Sequence, residues 1–374
     1  MPLYHTSAAL LGFCGTLVTG ATFSIGHRFS TRTFWHDVRM HDASIIQYVG
    51  ETCRYLLAAP PQIDSATGEN LDKKHRVRLA LGNGLRPDVW NAFKDRFGIA
   101  TIAEFYAATE GGLALWNLSS NDHSCGAVGR GGTLARLTSG RDFLIVRLDY
   151  ETEQPLRSGK DLLCTAADGD EPGELLFKLD PKDVMKSFQG YHGNREATTK
   201  KVVRDVLVKG DAYFRTGDVM RVDSEGRFWF CDRIGDTFRW KGENVSTAEV
   251  QAAIGTHPAV VEANVYGVEL PNHDGRAGCA ALLLAGEPDS KLLQSLASHV
   301  DKNLPRFAVP TFIRIAKAFE TTGNYKQQKH GLRTQGVDPT NIANDDRIFW
   351  LQDGTYTEFK DRDWKSLEGA RVKL

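Results

Sequence analysis

Between Leu79 and Phe105 the chain alternates strand, turn, helix and strand, and this alternation narrows the fold more than any other feature. Leu79–Leu81 reads as a short strand and Gly82-Asn83-Gly84 as a turn. A helix then opens with Pro87 in its first turn, aligns Val89, Phe93 and Phe97 at a spacing of four, and stops at Gly98. Ile99 to Phe105 resumes as strand. Farther on, Ala166 to Gly173 is a polar turn before a strand at Glu174 to Leu179. Val219 to Val222 and Arg227 to Cys231 flank Asp223-Ser224-Glu225-Gly226 as a hairpin. The expected class is α/β.

The texture changes near Ile234. Ser246-Thr247-Ala248-Glu249 has the form of a capping box and opens a helix with Val250, Ala253 and Ile254 inward. Strands at Val260 to Val268 and Gly278 to Leu284, a helix near Asp289 to Leu304 and a strand at Thr311 to Ile315 complete a small α+β unit. The 374 residues thus divide into expected domains 1–233 and 234–374, with a hinge at Asp232 to Asp236.

Composition removes several function classes. Lys plus Arg total 46 against 47 Asp plus Glu, a formal charge of −1, so the basic footprint of a nucleic-acid binder is missing. The six cysteines form no Cys-x-x-Cys pair and the eleven histidines no metal-ligand spacing, which favours a reduced, intracellular protein without zinc. Ser7 to Gly26 carries no charge, but its glycines, serines and threonines keep its hydropathy modest. A helix followed by a strand, both buried in the core, is expected there rather than a membrane span or signal peptide.

Three polar, glycine-rich strings interrupt the apolar strands. In Tyr106-Ala107-Ala108-Thr109-Glu110-Gly111-Gly112 a hydroxyl beside a carboxylate at a strand end suits a phosphate oxygen with a divalent cation; a polar turn is the plain alternative. In Tyr213-Phe214-Arg215-Thr216-Gly217-Asp218 the aspartate could accept hydrogen bonds from ribose hydroxyls, or the string could be a simple hairpin turn. The third, Asp232 to Val245, is too polar for a core strand and too aromatic for a linker.

Together these strings resemble the core motifs of the adenylate-forming superfamily of acyl-CoA synthetases, adenylation domains and luciferases. The run from Gly235 to Val250 is similar to the very-long-chain acyl-CoA synthetases, or fatty acid transport proteins. Pro2-Leu3-Tyr4-His5-Thr6 resembles that family's acyl-site motif, Thr322 to Lys329 its C-terminal lysine motif, and Gly336-Val337-Asp338-Pro339 the turn that follows. The resemblance implies the latter part of a large AMP-binding domain, with mixed sheets, helices and a small barrel-like subdomain, followed by a mobile α+β lid.

It also implies a two-step ligase: a carboxylate, fatty or otherwise, reacts with ATP to give an acyl-adenylate, and the thiol of coenzyme A then displaces AMP. By the same resemblance Gly82, Asn83 and Gly84 lie along the adenine, with Tyr106 and Ala107 beside it. Thr109 contacts the α-phosphate, Glu110 holds Mg2+, and Asp218 holds the ribose, helped by Arg233. Lys326 stabilises charge between carboxylate and α-phosphate, with a solvated surface lysine as its plain alternative and Lys329 a weaker candidate. His5 borders the acyl pocket or is a satisfied core histidine. Lys241, Gly242 and Glu243 edge the coenzyme A tunnel, and Gly235 takes the place of an Asp or Lys pivot.

Relatives carry a Ser/Thr/Gly-rich phosphate loop ahead of the acyl-site motif, and nothing in these residues matches it. The expectation is a ligase working as part of a longer polypeptide or with a complementing N-terminal chain. The alternatives are an inactive relative that binds acyl groups, AMP or a partner or serves fatty-acid uptake, and a ligase for a secondary-metabolite acid. The terminal Arg371-Val372-Lys373-Leu374 shares two residues with a peroxisomal signal. Peroxisome, endoplasmic reticulum and lipid-droplet surface stay open, with membrane association at most peripheral.

Overall fold

The computed structural model describes residues 1–111, 114–132, 142–323, 327–342 and 346–369. The chain forms two compact units that divide between Phe230 and Cys231.

In the first unit a π-helical stretch, Ser7–Cys14, runs into α1 (Gly15–Thr19), followed by α2 (Phe34–Met40). Then β1 (Ile45–Val49), α3 (Gly50–Ala58), β2 (Leu79–Asn83), α4 (Pro87–Phe97) and β3 (Thr101–Ala107) build a parallel βαβαβ sheet in the order β1-β2-β3. β4 (Ala114–Ser119) adds antiparallel to β3. The expected helix at Pro87 forms as its local signals dictate. Proline occupies its first turn, Asp88 and the pair Lys94 and Arg96 complement its dipole, and Gly98 closes it at φ 66°. Its face of Val89, Trp90, Phe93 and Phe97 is buried, and Trp35 stacks between Phe97 and His75 at centroid distances of 4.5 and 4.7 Å.

The remainder of this unit is mostly antiparallel. β5 (Gly129–Arg130) and β6 (Phe143–Val146) precede two small ribbons, β7 (Leu148–Asp149) with β8 (Gln154–Pro155) and β9 (Arg157–Ser158) with β10 (Leu163–Cys164). β11 (Gly173–Leu179), α5 (Arg195–Lys200), β12 (Val202–Arg204), β13 (Ala212–Val222) and β14 (Arg227–Arg233) follow. The larger sheet has the order β5-β14-β13-β11-β6, with β12 on β13. Phe177, Phe188 and Phe214 fill one side of it.

The second unit opens with a hairpin, β15 (Phe238–Trp240) and β16 (Glu243–Val245). Lys241 and Gly242 turn it with φ 52° and 85°, the doubly positive pair of a type I′ turn. After α6 (Thr247–Gly255), β17 (Val260–Glu269) pairs with β18 (Arg276–Leu284), and α7 (Ser290–Asn303) returns the chain to β19 (Phe312–Ile315), parallel to β18. α8 (His330–Gln335), β20 (Arg347–Gln352), β21 (Thr355–Glu358) and α9 (Asp361–Glu368) complete a sheet of order β17-β18-β19-β20-β21. Ser246 accepts the Glu249 amide at 3.2 Å, so the serine half of the expected capping box forms.

Two expectations need correction. Ser7 to Gly26 is not a buried helix and strand: helix ends at Thr19, no strand follows, and Leu10, Leu17, Val18 and Ile25 are exposed. Only Ser7, Ala8 and Gly12 of the π-helical stretch are buried, the serine being held by Gln47. Lack of charge permits burial, but burial also needs a surface to pack against, and no described residue covers the rest. The second correction concerns Gly82 and Asn83, which continue β2 rather than forming a turn.

The reason lies in a row across the sheet: Tyr48 of β1 pairs with Gly82 of β2, and Gly82 pairs with Glu104 of β3. The Tyr48 ring crosses over Gly82 and its hydroxyl donates to Glu104 Oε2. A Cβ on Gly82 would lie 2.5 Å from that ring and 2.3 Å from the Tyr48 carbonyl oxygen, so the position requires glycine. Glu104 is 0% exposed, and burial pushes its carboxyl up to about 8 against the pull of its hydrogen-bond donors.

Two outcomes follow. Phe97→Ala removes a ring from the centre of the first core and is expected to cost about 3–5 kcal/mol in denaturant unfolding. Glu104 in the folded protein keeps a proton that the unfolded chain releases above its ordinary value of 4.5, so its contribution to stability falls as pH rises from there towards 8. Urea unfolding at several pH values is expected to show Glu104→Gln, neutral throughout, lacking that decline by roughly 1 kcal/mol per pH unit; parallel profiles would contradict it.

Candidate nucleotide site

Strand β3 carries the site. Glu104 and Tyr106, two residues apart, point to the same face of the strand. Glu104 Oε1 accepts the backbone amides of Gly84 at 2.5 Å and Leu85 at 3.1 Å, which fixes the chain just beyond β2. Gly84 stands at φ 75° with its carbonyl pressed against Gly50, where an added Cβ would lie 1.7 Å from the oxygen. Gly82 is buried beneath Tyr48, whereas Gly84 is exposed and Asn83 half-buried. The buried Asn83 Oδ1 has no hydrogen-bond partner among the described residues.

Tyr106 reaches the second expected string: its hydroxyl donates to Asp218 Oδ2 at 2.5 Å across 112 residues of sequence. The turn that presents Asp218 is locked from below. Fully buried Glu174 binds the Arg215 guanidinium at 2.7–3.1 Å and also accepts the Gly217 amide at 3.2 Å. Thr216 donates to the Leu175 carbonyl at 2.7 Å and accepts the Asp218 amide at 3.0 Å. The half-buried Asp218 carboxylate is thus aimed by a buried ion pair and a hydroxyl, at a point where β11 and β13 slip in register.

Ala107, Thr109 and Glu110 are exposed where β3 ends. Tyr191 donates to Glu110 Oε1 at 2.9 Å; its own burial and this carboxylate push its hydroxyl up to about 12. Gly112, from the same string, lies outside the described residues. A hard carboxylate oxygen suits Mg2+, but no group of three His, Cys, Asp or Glu that could hold a metal occurs among the described residues. That donor set fits an ion bound chiefly through phosphate oxygens and water. His5 precedes the π-helical stretch, half-buried, with Nδ1 accepting the Ser7 amide at 3.3 Å.

The other expected residues belong to the second unit. Arg233 ends β14 and is exposed, and its amide donates to Asp232. Buried Asp232 also accepts the Thr247 amide at 2.6 Å and hydroxyl at 3.1 Å, which fastens the start of this unit to α6. Gly235 stands at φ 85°, and Lys241, Gly242 and Glu243 are exposed at the β15–β16 turn. Lys326 lies outside the described residues. Lys329 is engaged, with Nζ 2.6 Å from Thr247 Oγ1 and 3.2 Å from Asp236. Burial opposes the ionised form of Asp236, but Lys329 and Arg333 hold its carboxyl below the usual range.

Sequence reasoning passed over Glu104, Tyr48, Glu174 and Tyr191. The first and third had a signal, a charge inside an otherwise apolar strand, since such charges are buried only with partners. Tyr48 and Tyr191 had none, because their partners lie 56 and 81 residues away.

Residues 1–187 match the AMP-binding enzyme family and residues 249–326 the AMP-binding enzyme C-terminal domain. All of the chain aligns at 43% identity with 62% of isopenicillin N epimerase component 1 of Hapsidospora chrysogena. It aligns at 38% with 57% of a very long-chain fatty acid transport protein of Cochliobolus heterostrophus. The chain therefore spans less than two thirds of the length of these curated relatives. Among solved structures, the anthranilate CoA ligase AuaEII in complex with anthranoyl-AMP superposes with a TM-score of 0.71 at 18% identity, covering 91% of this chain and 59% of that one. ATP-bound MatB from Rhodopseudomonas palustris gives 0.67 at 21%, covering 89% and 58%. The fold of these structures is shared, with an AMP-binding-like domain followed by a smaller α+β lid. On the family match, the chain belongs to the AMP-binding enzymes of the adenylate-forming superfamily and is related to the fatty acid transport proteins.

Proposed function

We propose that these residues form the nucleotide-binding part and the lid of an ATP-dependent acid–thiol ligase that makes an acyl-CoA through an acyl-adenylate. The observation that carries this reading is the hydrogen bond from Tyr106 to Asp218, which unites two of the three sequence strings beside the turn held by Glu104. Adenine would lie along residues 82–84 with Tyr106 and Ala107 beside it, its amine facing Asn83, and the ribose hydroxyls would donate to Asp218. Thr109 would hold the α-phosphate. Glu110 would hold Mg2+, which supplies charge neutralisation at the phosphates when bound.

Roles for the second unit are part of the same proposal. Lys326 would place its charge between the carboxylate and the α-phosphate, Arg233 would assist at the ribose, and Lys241, Gly242 and Glu243 would line the approach of coenzyme A. Gly235 would serve as the pivot, where glycine's positive φ offers rotation at little steric cost. His5 would border the acyl group.

The relatives named as fatty acid transport proteins support a long- or very-long-chain fatty acid as substrate. A second reading, a secondary-metabolite carboxylic acid, is favoured by the 43% identity to an epimerase component. An intracellular setting accords with six cysteines that form no disulfide. No helix among the described residues is long and apolar enough to cross a membrane.

ATP–pyrophosphate exchange tests the proposal, with fatty acids of graded length and other carboxylic acids offered to the purified chain. Exchange dependent on an acid is expected once the chain is joined to, or complemented by, N-terminal residues that carry a phosphate loop, and Lys326→Ala and Glu110→Ala are each expected to lower it by about 100-fold or more. A folded, complemented chain that binds AMP or acyl-CoA but exchanges no pyrophosphate would replace the ligase by a binding module.

A further inference from the structure

The proposed nucleotide contacts leave one buried titratable group without a role. Glu104 lies on β3 near the carboxyl end of the first unit's parallel strands, is fully enclosed, and forms no ion pair among the described residues. Its partners are the Tyr48 hydroxyl and the amides of Gly84 and Leu85. A carboxyl in such a place costs folding free energy unless its hydrogen bonds return it, a cost that a buried hydrocarbon of similar shape would not carry. What the carboxyl supplies and a hydrocarbon would not is an acceptor for two consecutive amides of a non-helical segment.

Those amides belong to the residues that follow Asn83. Without Glu104 no other described acceptor is seen for either, and the buried Leu85 amide, left unpaired, would drive the segment to move. The segment cannot move freely, because the Gly84 carbonyl lies close against Gly50. The turn is held by a close backbone contact and a buried carboxyl, and that carboxyl shares its strand face with Tyr106. One strand therefore sets both the height of residues 83–85 and the position of the tyrosine ring.

We propose that Glu104 is a positioning residue for adenine-nucleotide binding: without touching the ligand, it holds the Gly84 and Leu85 amides so that Asn83 and Tyr106 present one preformed surface. The proposal rests on the reading of this unit as a nucleotide site. Preforming a surface raises affinity because its ordering cost is met before the ligand arrives. A neutral amide can replace the carboxyl here, since its oxygen can face Gly84 and Leu85 while its nitrogen faces the Tyr48 hydroxyl oxygen.

Calorimetric titration of the purified 374-residue chain with AMP tests this, using wild type, Glu104→Gln and Glu104→Leu, with each variant's fold checked by circular dichroism. Glu104→Gln is expected to bind within about threefold of wild type and Glu104→Leu about tenfold or more weakly. A residue important only for stability would lower the unfolding temperature of the leucine variant and leave AMP affinity of the folded protein unchanged, which would overturn the proposal. Amide hydrogen exchange on the wild-type chain covers the case in which the leucine variant does not fold. Gly84 and Leu85 are expected to exchange at least about 100-fold more slowly than unstructured amides, and unprotected exchange would also overturn it. Failure of the wild type to bind AMP at all, with both amides protected, would instead remove the nucleotide reading on which the proposal stands.

Discussion

The first unit depends on a carboxyl group buried without a cation. Glu104 is reached by three donors from two neighbouring strand ends, and the arrangement works only because Gly82 lies between them with no side chain. The tyrosine ring passes through the space that a Cβ would fill. The row Tyr48–Gly82–Glu104 thereby ties three parallel strands at their carboxyl ends, the edge at which open α/β sheets place their ligands.

A second buried carboxylate does the complementary work in the antiparallel sheet. Glu174 is paired with a guanidinium where Glu104 has only neutral donors, and through Arg215 and the Gly217 amide it fixes the turn that aims Asp218. Tyr106 links the two halves with a single hydrogen bond. A surface assembled from one preset turn, one ring and one aimed carboxylate is held by hydrogen bonds that form without a ligand. The second unit is organised the same way on a smaller scale, with Asp232 and Thr247 fastening its first residues to a helix and Lys329 joining Thr247 to Asp236.

Much of this was legible in the sequence where the signals were local. The helix from Pro87 to Phe97 announces itself by proline, an apolar stripe and a closing glycine, all within one element. The hairpin around Asp223 to Gly226 and the order of elements in the C-terminal unit were readable for the same reason. The strings around Tyr106 and Asp218 could be singled out by composition, and their joint meaning came from family resemblance. Features that depend on a distant partner were not legible. Gly82 looks like a turn glycine until Tyr48, 34 residues earlier in the chain, is seen to lie over it. Arg215 is an ordinary charge in its string until Glu174 is found 41 residues away. The exposure of the uncharged Ser7 to Gly26 is not legible in its composition, which says nothing about which surface is at hand to cover it.

The claim that joins fold to function is that residues 82–84, Tyr106 and Asp218 form one adenine-nucleotide surface. A crystal structure of the chain with AMP bound tests it most directly. The account requires the base along residues 82–84 with its amine near Asn83, the ribose hydroxyls on the Asp218 carboxylate, and the Glu104 hydrogen bonds unchanged. AMP bound elsewhere, or a Gly84–Leu85 segment rearranged away from Glu104 when the base is in place, would contradict it.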